Sequence, residues 1–263
     1  MLFRSGAWSE LWEETSAALG QAGFHAIAMD VPPFGYSQKP TNAAYRREDQ
    51  AKRIVGVINA LQLPRVTLVG HSFGAGPTLE AARMTPRKIE KLILVDAALG
   101  LDAPPDTGGV GSTLLHAALA MRPIRNILAA SSATNPVMTG TLLKQFITKK
   151  TAATPQRIRM LQEPLVVEGS TDAVGYWLRE FLLPTEEPLP HERGAYTSLI
   201  MPVLLVWGAE DTVTPLPQAQ LIAELLPHAQ LAVLKDIGHI PQIEDPQAFT
   251  ITLLAFLSSG QKW

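Results

Sequence analysis

The sequence contains no cysteine, which excludes a disulfide framework, a thiolate zinc site and a cysteine nucleophile. It also lacks any apolar run of the roughly 18 residues that a membrane span needs. Its start, MLFRSGAWSE, has no apolar region typical of a signal peptide. Charge of one sign is not in excess, because the net charge is −2 and the basic residues are scattered. We therefore expect a soluble, cytoplasmic protein that does not bind nucleic acid.

Apolar sequence, in contrast, is abundant. Hydrophobic residues make up 46% of the 263 residues and charged residues 17%, which is typical of a globular chain with a sizeable core. The sequence contains no internal repeat.

Short apolar strands alternate with helices along most of the chain. Each strand is an unbroken apolar run, which is typical of a parallel sheet covered on both faces. We predict an α/β fold with a mostly parallel sheet and helices on both faces. The predicted strands are residues 24–30, 66–70, 91–97, 202–208 and 229–235, and the helices are 9–19, 47–61, 73–84, 217–226 and one starting near 246.

Residues 99–199 interrupt this alternation. They contain no convincing strand, but several helical segments broken by proline and glycine. Such a stretch is too long for an ordinary loop. We predict a helical cap that lies over the C-terminal edge of the sheet, where ligands bind in open α/β sheets. The core then consists of residues 1–98 and 200–263.

The stretch VTLVGHSFGAGP places the pattern G-x-S-x-G, residues 70–74, between a predicted strand and a predicted helix. A nucleophile elbow requires this context. The turn would hold the Ser72 hydroxyl clear of the sheet, near a helix N-terminus that favours developing negative charge. The alternative is a glycine-rich turn without a chemical role.

Two other glycine patterns compete with the elbow. Gly74 and Gly76 begin a dinucleotide-binding fingerprint and Asp96 ends the next strand, but Leu79 occupies the third glycine position. Residues 107–113, TGGVGST, resemble a phosphate-binding loop but lack its lysine and its preceding strand. Neither pattern fits as well as the elbow.

A serine nucleophile needs a base, and the base needs an orienting carboxylate. Among the six histidines, His239 lies in the loop directly after the last predicted strand. Asp211 follows the preceding strand, and Asp96 is the alternative acid. These loops leave C-terminal strand ends, on the same edge as Ser72, and the order Ser, Asp, His is a known triad order. Of the other histidines, His25 is predicted to pack within its strand and His228 to face solvent in a turn. His116 and His191 lie in the stretch 99–199, as surface residues or as pocket lining, and His71 is too near Ser72 in sequence for its ring to face it.

Four stretches together resemble the α/β-hydrolase superfamily in its single-domain form with a helical cap: DVPPFGYS, GHSFG, WGAED and GHIPQIEDP. The resemblance extends from residue 5 to the C-terminus. It implies that Ser72 is the nucleophile, Asp211 the acid and His239 the base. Serine at the elbow argues against the members that attack with aspartate, the haloalkane dehalogenases and epoxide hydrolases.

The predicted oxyanion hole begins with the backbone N–H of Phe73. In the family, a strand ending in His-Gly leads to the second donor, whereas MLFRSGAW here is predicted to open directly on the first helix. We therefore expect the strand between those at 24–29 and 66–69 to be missing, and the chain to be a shortened form of a longer one. Ser5 is the first candidate for the second donor and Arg4 the other; losing one donor costs about 10²–10³ in kcat.

These residues predict a serine hydrolase that cleaves an ester or related acyl bond of a small hydrophobic molecule, with no cofactor and no metal. Phe34, His71 and His116 are candidate substrate contacts, although Phe34 equally fits simple loop packing. The His71 ring is expected to point away from Ser72. The alternatives are carbon–carbon bond hydrolysis, perhydrolysis or cyanohydrin cleavage on the same fold, or a truncated protein that only binds apolar ligands. The oligomeric state is left open.

Overall fold

The computed structural model describes residues 2–4, 8–40, 45–100, 117–182, 193–226 and 228–259. Their strands form a 6-stranded sheet with the order β2-β1-β3-β4-β5-β6. Every neighbouring pair is parallel. The strands are β1 (Leu2–Arg4), β2 (Ala28–Asp30), β3 (Val66–His71), β4 (Ile89–Val95), β5 (Val203–Gly208) and β6 (Ala229–Leu234).

Helices connect the strands and cover the sheet. In chain order they are α1 (Glu13–Gln21), α2 (Arg47–Ala60), α3 (Ala75–Met84), α4 (Arg122–Ser131), α5 (Pro136–Phe146), α6 (Pro155–Gln162), α7 (Ser170–Leu182), α8 (Leu216–Leu225), α9 (Pro241–Glu244) and α10 (Pro246–Ser258). The predicted α/β architecture is confirmed, since a parallel sheet lies between two helical layers.

Both faces of the sheet are buried because successive strand residues enter different cores. Leu92 and Leu94 of β4 pack in the cluster that contains α2, α3 and α8. Ile93 and Val95, which alternate with these leucines along β4, pack in a second cluster on the other face of the sheet, with Phe249 of α10. These four β4 residues are 0% exposed. Burying such a side chain fully contributes about 1.5–3 kcal/mol.

The expectation that the strand beside β3 is missing is wrong. Leu2, Phe3 and Arg4 form β1, which lies between β2 and β3 and pairs with both. Phe3, for example, is in register with Met29 on one side and Gly70 on the other. A run of three residues is too short to show the alternation by which a strand is predicted from sequence.

Most predicted elements are present with shifted ends. The strand predicted at 24–30 is confined to Ala28–Asp30, and the helix predicted at 9–19 begins as a 3₁₀ turn, Ser9–Trp12, and continues to Gln21. The start of α10 is as predicted, because the Asp245 side chain accepts a hydrogen bond from the Ala248 N–H and a proline follows the cap.

Between β4 and β5, residues 117–182 contain helices α4 to α7 and no strand. We call α4 to α7 the inserted helices. Side-chain caps start two of them: Asn135 accepts from the Val137 N–H before α5, and Thr154 accepts from the Arg157 N–H before α6. Across the described ranges, no helix is both long and apolar enough to span a bilayer.

Candidate active site

Ser72 lies in the sharp turn between β3 and α3, at the start of the 3₁₀ turn Ser72–Gly74. Its backbone φ is +54°, in the left-handed region that residues other than glycine rarely adopt. The turn also requires glycine at position 70, because a Cβ there would lie 2.5 Å from Thr78 Oγ1 and 2.9 Å from Ala75 Cα. The strained turn therefore presents the Ser72 hydroxyl at the C-terminal edge of the sheet, beside the N-terminus of α3.

The structure brings Ser72, His239 and Asp211 together in one hydrogen-bonded chain. Ser72 Oγ lies 2.7 Å from His239 Nε2, and His239 Nδ1 lies 2.8 Å from Asp211 Oδ2. With a proton on Nδ1, His239 donates to Asp211 and accepts from the Ser72 hydroxyl. Asp211 and His239 lie in the loops after β5 and β6 and are 5% and 2% exposed. Their separation from water strengthens the electrostatic interaction within the pair.

The surroundings of Asp211 favour its ionised form. Its Oδ1 accepts from the N–H groups of Val213, at 2.7 Å, and Thr214, at 3.0 Å. Its Oδ2 accepts from the Thr214 hydroxyl at 2.6 Å. Burial by itself raises the pKa of Asp211. The hydrogen bond and charge of His239 and the hydrogen bonds of Thr214 together lower this pKa by more than burial raises it, so it lies below the ordinary value. The anion is suited to orient His239 and to stabilise an imidazolium.

Asp96 is a second buried carboxyl group at this site. It directly follows β4, is 0% exposed, and its Oδ1 accepts from the Gly208 N–H at 2.8 Å. Burial, followed by the charge of Asp211, raises the pKa of Asp96 well above its ordinary value. It was the alternative orienting acid, but the His239 Nδ1 hydrogen bond goes to Asp211.

Asp96, Asp211 and His239 are also the group in the described part of the chain that could hold a metal ion, with ligand atoms within 4.8 Å of one another. In the structure, His239 Nδ1 and Asp211 Oδ2 are occupied by their mutual hydrogen bond.

Glu244, which sequence reasoning missed, holds the His239 loop to the inserted helices. Its Oε2 accepts from the N–H groups of Thr148, at 2.7 Å, and Lys149, at 2.9 Å, just after α5. Its Oε1 accepts from the N–H groups on both sides of His239, at 3.1 Å from Gly238 and 3.2 Å from Ile240. One carboxylate therefore joins two segments of backbone. The available signal was the pair of acids, Glu244 and Asp245, near the end of the stretch GHIPQIEDP.

Two further contacts fix the backbone of His239. Its N–H donates to the Phe146 carbonyl at 3.0 Å, and its carbonyl lies 2.7 Å from Nε2 of His71. His71 is 0% exposed, and its ring packs edge-on against Trp12. The ring therefore supports the His239 loop. His71 was also a predicted substrate contact, but its completely buried side chain exposes no surface to a substrate.

Phe34, a predicted substrate contact, lies in a loop arranged around Asp30. The Asp30 carboxylate accepts from the N–H groups of Ser9 and Tyr36, and glycine is required at position 35, where φ is +57° and a Cβ would lie 2.1 Å from Asp30 Oδ2. The Phe34 ring is buried and contacts Trp177 of α7 edge-on, with 4.9 Å between ring centroids.

The ring of Phe73, next to Ser72, contacts the same face of α7. It lies edge-on to Trp177 at 5.4 Å and to Phe181 at 5.3 Å. The inserted helix α7 therefore lies directly over the Ser72 turn. Ser5 and His116, the other predicted site residues, lie outside the described residues.

Comparison with known proteins agrees with this architecture. A family model described as "alpha/beta hydrolase fold" matches residues 5–246. The chain is 27% identical over 259 residues to a 2-hydroxymuconate semialdehyde hydrolase from Pseudomonas sp. strain CF600, covering 97% of this chain and 83% of the relative.

Two solved structures share the fold. A meta-cleavage product hydrolase from Pseudomonas fluorescens IP01 superposes with a TM-score of 0.77 at 22% identity, covering 99% of this chain and 90% of that one. An esterase from Exiguobacterium antarcticum superposes with a TM-score of 0.77 at 23% identity, covering 98% and 91%. The family match over most of its length shows that this chain belongs to the α/β hydrolase family.

Proposed function

We propose that this protein is a serine hydrolase that cleaves an ester or related acyl bond of a small hydrophobic substrate through an acyl-enzyme. The observation that carries the proposal is the continuous hydrogen-bonded chain from Ser72 Oγ through His239 to Asp211, with distances of 2.7 and 2.8 Å. The nucleophile, the base and the orienting acid are therefore within the hydrogen-bond distances that proton transfer requires during acyl transfer.

In the proposed mechanism, Ser72 Oγ attacks the substrate carbonyl while His239 Nε2 takes the hydroxyl proton. Asp211 stabilises the resulting imidazolium and keeps its Nδ1 proton in place. The Phe73 N–H stabilises the oxyanion of the tetrahedral intermediate. His239 then delivers its proton to the leaving group, and a water molecule, activated by the same histidine, hydrolyses the acyl-enzyme and restores Ser72.

The surface above Ser72 supports a hydrophobic substrate. Phe73 and Phe34 on the core side meet Trp177 and Phe181 of α7, and the last two rings stack with 5.2 Å between centroids. Phe181 is 45% exposed, so this aromatic cluster is open on one side. Aromatic rings bind apolar groups over a large area and favour aryl groups by edge-to-face contact. Aryl and medium-chain acyl esters are the preferred class.

A second candidate is the hydrolysis of a meta-cleavage product. It is favoured by the likeness to a 2-hydroxymuconate semialdehyde hydrolase and to a meta-cleavage product hydrolase. The same serine, histidine and aspartate would act in that reaction, so the two candidates differ in substrate rather than in machinery.

Covalent labelling tests the proposed function. A fluorophosphonate probe is expected to modify Ser72 in the native protein and to leave Ser72→Ala and His239→Gln unlabelled. Ser170→Ala is the matched control, because Ser170 is a buried serine whose hydroxyl bonds the Pro164 carbonyl, away from His239; it should label normally. A native protein that is not labelled, or a Ser72→Ala variant that is, would contradict the proposal.

Turnover then separates the two candidates. p-Nitrophenyl esters of increasing acyl length are expected to be hydrolysed, with higher kcat/KM for aryl and medium-chain acyl groups. If the labelled protein hydrolyses a meta-cleavage product and none of these esters, the second candidate is correct.

A further inference from the structure

Asp96 is held rigidly behind the Ser72–His239–Asp211 chain. Its φ is +42°, an uncommon conformation for aspartate, and it is fixed by two hydrogen bonds to β5 and its end. The Asp96 N–H donates to the Val206 carbonyl at 3.0 Å, and Oδ1 accepts from the Gly208 N–H at 2.8 Å. The side chain is completely buried, so its direction is set by the protein rather than by solvent.

The second oxygen of Asp96 meets another carboxyl group. Oδ2 has no hydrogen-bond partner among the described residues, and a carboxyl oxygen of Asp96 lies within 4.8 Å of a carboxyl oxygen of Asp211. Two buried carboxylates this close to each other repel strongly, which favours a proton on one of them.

The distribution of donors decides which group carries the proton. Asp211 accepts hydrogen bonds from two backbone N–H groups, the Thr214 hydroxyl and His239 Nδ1. Within the described part of the chain, the Asp96 carboxyl group accepts from the Gly208 N–H alone. The charged groups that act on Asp96 from neighbouring elements include Asp211 in the loop after β5 and Glu244 in α9, and both disfavour a negative charge on it. The anion is therefore placed on Asp211 and the proton on Asp96.

We propose that Asp96 is a positioning residue that stays protonated and donates a hydrogen bond to Asp211, holding that carboxylate in the orientation that His239 needs. This rests on the proposed function, in which Asp211 orients the base. Being neutral, Asp96 leaves one negative charge rather than two beside His239.

Thermal unfolding tests the protonation of Asp96 without requiring activity. Asp96→Asn keeps an acceptor for Gly208 and a donor for Asp211 but cannot ionise. If Asp96 is protonated in the folded protein and ionises in the unfolded chain above its pKa of about 3.9, the native protein loses stability relative to the variant as the pH rises. The Tm of Asp96→Asn minus that of the native protein is then expected to widen by at least about 3 °C between pH 5 and pH 8.

Asp236→Asn is the matched control, because Asp236 is an exposed aspartate whose φ is also positive, +59°. Asparagine suits that backbone conformation equally at both positions. The difference in Tm between Asp236→Asn and the native protein should not depend on pH. A pH-independent difference for Asp96→Asn as well would mean that Asp96 is ionised in the folded protein, and would overturn the proposal.

The rate of fluorophosphonate labelling of Ser72 tests the positioning role. Asp96→Ala removes the donor and is expected to slow labelling about tenfold, the effect of one hydrogen bond to a charged group, whereas Asp96→Asn restores it. When the labelling rate is plotted against pH, its fall on the acid side should occur at the same pH in Asp96→Asn as in the native protein. The reason is that replacing a neutral group leaves the charge beside His239 unchanged.

Two results would refute the positioning role: a fall on the acid side that moves to lower pH in Asp96→Asn, or an Asn variant as slow as the Ala variant. Failure of the proposed function is distinguishable, because the native protein would then not be labelled at any pH while the unfolding comparison would still report the state of Asp96.

Discussion

Thr214→Val removes one hydroxyl from the Asp211 site and changes little else. Thr214 is 3% exposed, and its Oγ1 donates to Asp211 Oδ2 at 2.6 Å. Valine has nearly the same shape, so no cavity is created. Its backbone N–H still donates to Oδ1, and His239 still donates to Oδ2. The variant therefore removes one short charge-assisted hydrogen bond to Asp211, together with a longer contact of 3.4 Å between Thr214 Oγ1 and His239 Nδ1.

A hydrogen bond to a charged group contributes about 1.5–3 kcal/mol. Because Asp211 keeps its other donors, we expect a loss of about 1.5–2 kcal/mol of unfolding free energy. For a chain of this size, each kcal/mol lowers Tm by about 2–4 °C, so Tm should fall by about 3–8 °C. If the same loss is felt when the imidazolium forms, kcat/KM falls about tenfold, which corresponds to about 1.4 kcal/mol.

Thermal unfolding and p-nitrophenyl ester hydrolysis measure the two effects in parallel. Thr214→Ser is the control, because it keeps the hydroxyl and loses the methyl group. Its kcat/KM should remain close to that of the native protein. Valine and serine variants with the same Tm and the same kcat/KM would show that the hydroxyl does not stabilise Asp211, and the reasoning above would be wrong.

Three further predictions concern the surroundings of the site. Glu244→Gln replaces one acceptor oxygen by an NH₂ group, so some of the N–H groups around the His239 loop lose their acceptor; we expect a lower Tm and a severalfold lower kcat/KM, with unchanged values counting against a supporting role. Lys91→Met removes the ammonium group that donates to three carbonyls at the end of α10; urea unfolding should show a loss of about 1–3 kcal/mol. Hydrogen bonds lower the pKa of Asp211 despite its burial, so its stabilisation is complete above the unfolded pKa of about 3.9 and is lost as the pH falls through the lower folded pKa. Asp211→Asn should show a weaker decline in urea stability between pH 5 and pH 2.5, and an undiminished decline would contradict this assignment.

The order of strands and helices was largely predictable because both faces of the sheet are buried. Apolar runs such as residues 92–95 of β4 and residues 203–208 of β5 differ clearly from the amphipathic helices in the sequence. Local chemistry fixed some boundaries as well, as with Asp245 before Pro246 at the start of α10. β1 was missed because three residues carry no periodic signal, and it is the neighbouring strands that hold them in the sheet.

The site was predictable as far as it depends on positions at strand ends. Ser72, Asp211 and His239 each follow a strand of one parallel sheet, so the chain order alone places them on one edge. Their support was not predictable in the same way. Glu244 accepts from the N–H of Thr148, 96 residues away, and no local pattern relates the two. Thr214 gave a local signal, since a hydroxyl three residues after an aspartate often completes a turn around it.

The attachment of the His239 loop to the backbone that follows α5 has a consequence for recombination between relatives. A chimaera that exchanges the inserted helices and keeps its own β6 loop would separate Glu244 from Thr148 and His239 from Phe146. The position of the His239 side chain would then depend on how well the foreign backbone fits against its loop. Crossover points that transfer residues 146–149 together with residues 238–244 keep these contacts intact, and this pair of segments is the natural unit for changing substrate range while preserving turnover.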